Sequence, residues 1–203
     1  MNDMGKTKLV FATNNRYKFE EIKQVLKDKV NLLDLADIGF SGEIPEEQDT
    51  LEDNAAQKAF FIYHKYGMDC FADDTGLEIE ALQGEPGVYS ARYAGGNCTF
   101  DDNMNLVLLK MVGKSNRKAR FRTVIALVEQ GRLNTFDGVI NGLITHEKRG
   151  MEGFGYDPIF EPEGYGQTFA EMTLPEKNLI SHRALAVAAF FNYINVKGRN
   201  TTG

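Results

Sequence analysis

Lys8-Leu9-Val10-Phe11-Ala12, then Thr13-Asn14-Asn15, then Tyr17 to Leu26 is the stretch on which the fold turns. KLVFA reads as a buried strand. The polar triplet breaks it, and the next residues place Phe19, Ile22, Val25 and Leu26 at a helical period. Val30 to Leu35 reads as a second strand. Strand, loop, helix and strand at the head of a chain predict an α/β architecture built on a sheet.

Working outward, Ala36 to Asp49 is a polar loop with Gly and Pro. Thr50-x-x-Asp53 has the form of a helix start with Thr50 as N-cap, and the helix Leu51 to Tyr66 stops at Gly67. A strand over Cys70 to Asp73 follows. Gly84 to Gly96 is irregular and contains Pro86. Asp101 to Val112 carries a helical apolar face at Met104, Val107, Leu108 and Met111. Ala119 to Glu129 is rich in β-branched residues, and Gln130-Gly131 turns it into a hairpin partner, Leu133 to Ile144. A Gly-rich loop, Gly150 to Gly155, precedes a final helix from Pro175 to Ile194 with a new cap at Ser181. Lys197 to Gly203 reads as a loose tail. With no repeat, low-complexity tract or linker, residues 1–203 read as one domain.

The 203 residues are 42% hydrophobic and 26% charged, which suits a chain that buries its own core. A formal net charge of -6 argues against a surface for a nucleic-acid polymer and leaves small phosphorylated ligands open. Two cysteines, Cys70 and Cys98, make neither a disulfide framework nor a zinc site, and Cys70 reads as a small buried hydrophobe. No long apolar segment marks a signal peptide or membrane span, so the expected setting is cytoplasmic.

Phe71-Ala72-Asp73-Asp74-Thr75-Gly76-Leu77 concentrates chemistry. An apolar run ends in two adjacent carboxylates and a Gly turn. Such charge needs a cation or a proton beside it, and a divalent metal on carboxylates is suited to attack on phosphate esters; a solvated turn is the plain alternative. Thr13 to Lys18 lies between strand and helix, where free N–H groups, Arg16 and Lys18 suit a phosphate, or where a cap simply carries surface cations. Glu46 and Glu47 stand in a loop from which a carboxylate would complete a magnesium shell with Asp73 or Asp74. Gly153-Phe154-Gly155-Tyr156-Asp157-Pro158 sets an aromatic between glycines, either to stack on a flat base or to fill a tight turn. Lys177, His182 and Arg183 gather donors near the last helix, facing an acceptor-rich partner or solvent.

Six stretches in order extend these pieces: FATNNRYK (Phe11 to Lys18), DNAAQKA (Asp53 to Ala59), ADDTGLEIEAL (Ala72 to Leu82), GEPGVYSARYAG (Gly84 to Gly95), GFGYDPIF (Gly153 to Phe160) and EKNLISHRA (Glu176 to Ala184). Together they resemble the non-canonical purine nucleoside triphosphate pyrophosphatases, over nearly the whole chain. The resemblance implies an elongated mixed β-sheet with flanking helices, in two lobes with a central active-site cleft. It implies hydrolysis of ITP, dITP and XTP to the monophosphate and pyrophosphate, with Mg2+ as cofactor and a homodimer as assembly. Carried over by position, it assigns the triphosphate to Thr13, Asn15 and Lys18, substrate binding also to Asn14, Arg16 and Tyr17 of the same loop, and catalysis and metal to Asp74 with Asp73 beside it. Thr75 is a substrate contact, Phe154, Gly155, Tyr156 and Asp157 form the nucleoside loop, and Lys177, His182 and Arg183 read the base. The family's phosphate loop often has Gly where Asn14 stands; Asn tolerates unusual backbone angles. Its Glu-Glu-Thr-Gly loop is here Pro45-Glu46-Glu47-Gln48-Asp49, with Glu46 favoured as metal ligand because it follows the proline, and Glu47 as alternative. Rival readings are an aspartic protease on Asp74-Thr75-Gly76, a nucleotide-binding sensor, and a pyrophosphatase of other modified nucleotides.

Overall fold

The structure, a computed structural model, describes residues 8–26 and 30–200, with side chains as far as 196. Seven strands, β1 (Lys8–Phe11), β2 (Asn31–Leu33), β3 (Cys70–Ile79), β4 (Pro86–Gly87), β5 (Lys118–Glu129), β6 (Arg132–Ile144) and β7 (Phe160–Pro162), form one mixed sheet in the order β2-β1-β3-β5-β6-β7, with β4 on β3. β1 runs parallel to β2 and β3, whereas β3–β4 and β6–β7 are antiparallel. Five α-helices are present among the described residues: α1 (Arg16–Val25), α2 (Leu51–Tyr66), α3 (Phe100–Lys110), α4 (Leu174–Ile180) and α5 (His182–Asn200). The α/β expectation holds at this level.

Local chemistry sets the element ends. Thr50 caps α2 by accepting the Asp53 N–H at 3.1 Å, and Gly67 ends the helix in the left-handed region at φ 63°. Leu51, Ala55, Ala59 and Ile62 form its buried stripe. Thr99 and Asp102 make a reciprocal capping box at α3, as do Thr173 and Glu176 at α4. Ser181, extended at ψ 151°, separates α4 from α5, so the cap expected there is a break between two helices. β2 is shorter than Val30 to Leu35, because Asp34 and Asp37 accept each other's backbone N–H at 2.9 and 2.8 Å and turn the chain. The tail expected from Lys197 is helical as far as Asn200, and 201–203 lie outside the described residues.

Contacts divide the chain into two compact units. The first comprises Met1–Asp74, Val124–Gly138 and Ala184–Gly203; the second comprises Thr75–Thr123 and Val139–Arg183. The first is built on Leu9, Phe11, Ile22, Phe71, Ile125, Val187 and Phe190, with Phe11 stacked on Phe71 at 4.6 Å. The second is built on Leu77, Val107, Phe121, Ile159, Phe160 and Phe169.

One expectation needs correcting. Gly76 does not turn the chain after the acids; β3 continues through Asp73, Asp74, Thr75 and Gly76 to Ile79. The glycine is there for close approach, since a Cβ on it would lie 2.8 Å from the Gly87 carbonyl oxygen of β4. Gly76→Ala is therefore expected to destabilise by about 1–3 kcal/mol, the usual cost of overpacking, read from the urea midpoint; an unchanged midpoint would refute the close-packing argument.

Candidate active site

Successive side chains of a strand point to opposite faces. Asp73 and Asp74 are neighbours on β3 and so take different partners. Asp73 Oδ2 pairs with Lys18 Nζ at 3.2 Å, and Asp74 Oδ1 pairs with Lys58 Nζ at 3.2 Å. The two acids are only 1% and 4% exposed, so each requires this compensation. Lys18 comes from the first turn of α1. There Asn15 caps the helix by accepting the Lys18 N–H at 3.2 Å, and the Asn15 N–H donates to Thr13 Oγ1 at 3.1 Å. Arg16 and Tyr17 are exposed beside them.

Asn14 does not use an unusual backbone angle: it is not among the positive-φ residues. Its side chain braces another loop instead, donating to the Gly42 carbonyl at 2.8 Å and accepting the Ile44 N–H at 3.2 Å. That loop runs directly into Glu46. The DNAAQKA stretch secures the far side. Asn54, fully buried on α2, accepts the Gln48 N–H at 2.8 Å and donates to the Gln48 carbonyl at 3.1 Å, while Gln57 accepts the Glu47 N–H at 3.1 Å. Lys58 stands one helical turn beyond Asn54, on the same face. Its ammonium donates to Glu46 Oε1 at 2.6 Å and to Asp74 Oδ1, joining the two carboxylates. Glu47 is exposed.

Burial, the largest influence, pushes the Asp74 carboxyl up to about 6 against the pull of Lys58 and Lys18. Burial works in the same direction on Glu46, but the Lys58 charge and hydrogen bonds from Asp74 and Lys58 outweigh it and hold that carboxyl at about 2. Burial also works to lower Lys58, yet Asp74, Glu46 and Asp73 hold its ammonium above the ordinary lysine value. Among the described residues no group of three or more His, Cys, Asp or Glu gathers closely enough to hold a metal unaided. Magnesium commonly needs only one or two carboxylates, the rest of its shell being phosphate oxygen and water. Asp74 Oδ2 is buried with no hydrogen-bond partner, and the Glu46 carboxylate shares Lys58 with it, so this donor set fits such an ion.

The second unit assembles the aromatic and cationic residues. Asp157 and Lys177 are both almost fully buried, and Asp157 Oδ2 accepts from Lys177 Nζ at 2.7 Å and from the Phe154 N–H at 2.9 Å. The Lys177 ammonium stands 5.0 Å from the Phe154 ring centroid and the Arg183 guanidinium 5.6 Å from it. His182 stacks on Phe121 at 4.6 Å. Arg183 Nη2 donates to Thr75 Oγ1 at 3.2 Å. Tyr156 is buried, its hydroxyl donating to the Ser90 carbonyl at 2.8 Å, while Gly155 at φ 65° turns the loop between Phe154 and Tyr156.

The structure thus gathers Thr13, Asn15, Lys18, Asp73, Asp74 and Glu46 in one unit and Thr75, Phe154, Asp157, Lys177 and Arg183 in the other. Sequence reading passed over Lys58, Asn54 and Thr123. The first two lie in a quoted stretch whose i, i+4 spacing puts them on one helix face; Thr123 carried no signal beyond being a polar residue in an apolar strand.

The comparisons with known proteins agree with this picture. The Ham1 family pattern matches residues 9–193. The chain is 53% identical over 180 residues to a dITP/XTP pyrophosphatase of Flavobacterium johnsoniae, covering 89% of this chain and 94% of that one. The structure superimposes on a HAM1 protein from Coxiella burnetii with a TM-score of 0.86 at 36% identity, covering 93% and 98% of the two chains. It superimposes on the Staphylococcus aureus Ham1 protein with a TM-score of 0.85 at 33% identity, covering 94% and 100%. Family pattern, residue identity and backbone course point the same way, and the chain belongs to the Ham1 family.

Proposed function

We propose that this protein hydrolyses dITP, XTP and ITP to the monophosphate and pyrophosphate, clearing deaminated purine nucleotides from the pool. The observation that carries the reading is the buried Glu46–Lys58–Asp74 arrangement, with Lys18 and the capped start of α1 in the same unit. The name dITP/XTP pyrophosphatase borne by relatives about half identical to it supports the substrate class.

In this reading Thr13, Asn15, Lys18 and the N-terminal end of α1 bind the triphosphate. Asp74 and Glu46 would hold Mg2+, which would supply charge compensation for the phosphate oxygens. Asp74 orients a water against the α-phosphorus. The new bond joins the water oxygen to phosphorus as the water gives up a proton to the medium, the bond to the bridging oxygen breaks, and pyrophosphate leaves with its charge opposed by Lys18 and the helix start. Lys58 keeps the two carboxylates together and offsets their charge. The base stacks on Phe154 and presents its 6-keto oxygen to the donors of Lys177, His182 and Arg183. The cleft joining phosphate and base groups, a homodimer and a cytoplasmic setting belong to the same proposal, the last supported by two free thiols.

Purified protein with magnesium is expected to convert ITP to IMP and pyrophosphate in equal amounts; orthophosphate with IDP would place attack at the γ-phosphorus and refute the reading. Asp74→Asn keeps the shape and removes the charge, so kcat is expected to fall about 10²–10⁴-fold. A near-normal turnover would assign the role to another carboxylate. Adenine offers a 6-amino donor where inosine offers an acceptor, which leaves buried donors unpaired. Arg183→Ala is therefore expected to narrow the ITP-to-ATP ratio of kcat/KM, whereas Phe154→Ala weakens both substrates alike. Equal losses for the two nucleotides in Arg183→Ala would mean that Arg183 serves phosphate or structure.

A further inference from the structure

Residues 123–128 of β5 read Thr-Val-Ile-Ala-Leu-Val, and all six are buried. Thr123 is the single polar side chain in that run and is 0% exposed. A hydroxyl taken out of water costs free energy unless it is hydrogen-bonded, so valine is the residue that burial alone favours here. The Thr123 hydroxyl lies 2.7 Å from Thr75 Oγ1, which also accepts from the Arg183 guanidinium at 3.2 Å. A guanidinium only donates, so Arg183 fixes the Thr75 oxygen as an acceptor. Either hydroxyl can donate in the Thr75–Thr123 contact, because an oxygen that accepts from Arg183 keeps both its own O–H and a second lone pair, and the buried Thr123 hydroxyl is satisfied in both cases. Thr123 thus touches the Thr75 hydroxyl that receives Arg183, and the same Arg183 lies over the Phe154 ring.

We propose that Thr123 is a positioning residue for base selection, acting through Thr75 to hold the Arg183 guanidinium in place. The inference rests on the reading of Arg183 as a base-selecting donor and adds a residue that touches no substrate. Thr123→Val deletes the hydroxyl and keeps the shape, whereas Thr123→Ser keeps the hydroxyl.

Two measurements test it. The first is kcat/KM for ITP and for ATP. Thr123→Val is expected to lower the ITP-to-ATP ratio about tenfold, the scale of one net hydrogen bond. Thr123→Ser is expected to stay within about twofold of wild type, the scatter of such comparisons. A Thr123→Val protein that keeps the wild-type ratio, or loses both substrates equally, overturns the proposal, since a merely structural hydroxyl changes folding and leaves the ratio alone. The second is a urea-unfolding cycle of Thr75→Val, Thr123→Val and the double variant. The double variant is expected to unfold no more readily than the weaker single one; additive losses overturn the contact. Should valine prevent folding at 123, Thr123→Ala takes its place in both measurements. A wild-type protein with no preference for ITP over ATP refutes the base-selecting reading, and the proposal with it, while the unfolding cycle still decides the Thr123–Thr75 contact separately.

Discussion

Adjacent carboxylates on a buried strand create the constraint around which the first unit is organised. Asp73 and Asp74 cannot both face the same side, because strand geometry sends successive side chains to opposite faces. Each must therefore find its own cation, and the cations come from different elements: Lys18 from α1 and Lys58 from α2. Leaving either acid uncompensated would place an unpaired charge at an almost fully buried position, a loss far greater than the worth of any exposed pair. The Glu46 loop is then held by two unrelated devices, Asn14 on one side and Asn54 on the other. Both use an amide, which donates and accepts at once, to tie backbone groups that have no place in a helix or sheet. The outcome is three carboxylates from a strand and a loop, held together with two ammonium groups from separate helices.

The second unit solves a different problem, the presentation of cations to a flat ring. Lys177 is buried with Asp157 as its counter-ion, and the same carboxylate oxygen accepts the Phe154 N–H. One acid thus fixes both the charge and the aromatic beside it. Gly153 is required for the same reason: it sits at φ 75°, and a Cβ there would collide with the Asp157 carboxylate. Arg183 approaches the Phe154 ring as well, held by the Thr75 hydroxyl. Thr75 directly follows Asp74 in the chain, so β3 supplies the acids of one unit and the hydroxyl of the other within three consecutive residues.

Much of this was legible in the amino-acid sequence because it rests on local rules. The period of Tyr17 to Leu26, the cap at Thr50 and the stop at Gly67 each depend on a few neighbouring residues, and each stands in the structure with small shifts at the ends. The α/β architecture followed from the strand–loop–helix–strand opening, and the family and its mixed sheet followed from six ordered motifs. The reading of Gly76 as a turn failed because glycine after two acids is ambiguous: it serves turns by its backbone freedom and close approach by its missing Cβ, and only the position of Gly87 distinguishes them. Asn14 was expected to matter for its backbone and matters through its side chain.

The sequence by itself determined the longer helices and strands, the α/β class, the family and most of the charged residues of the candidate site, since propensity, periodicity and motif order are properties of neighbours along the chain. Tertiary structure alone decided which charges meet. Lys58 lies 12 residues from Glu46 and 16 from Asp74, Thr75 lies 48 from Thr123 and 108 from Arg183, and no local rule couples positions so far apart. Their encounter is set by strand order and helix packing, which bury these groups together and oblige each to pair because water is excluded.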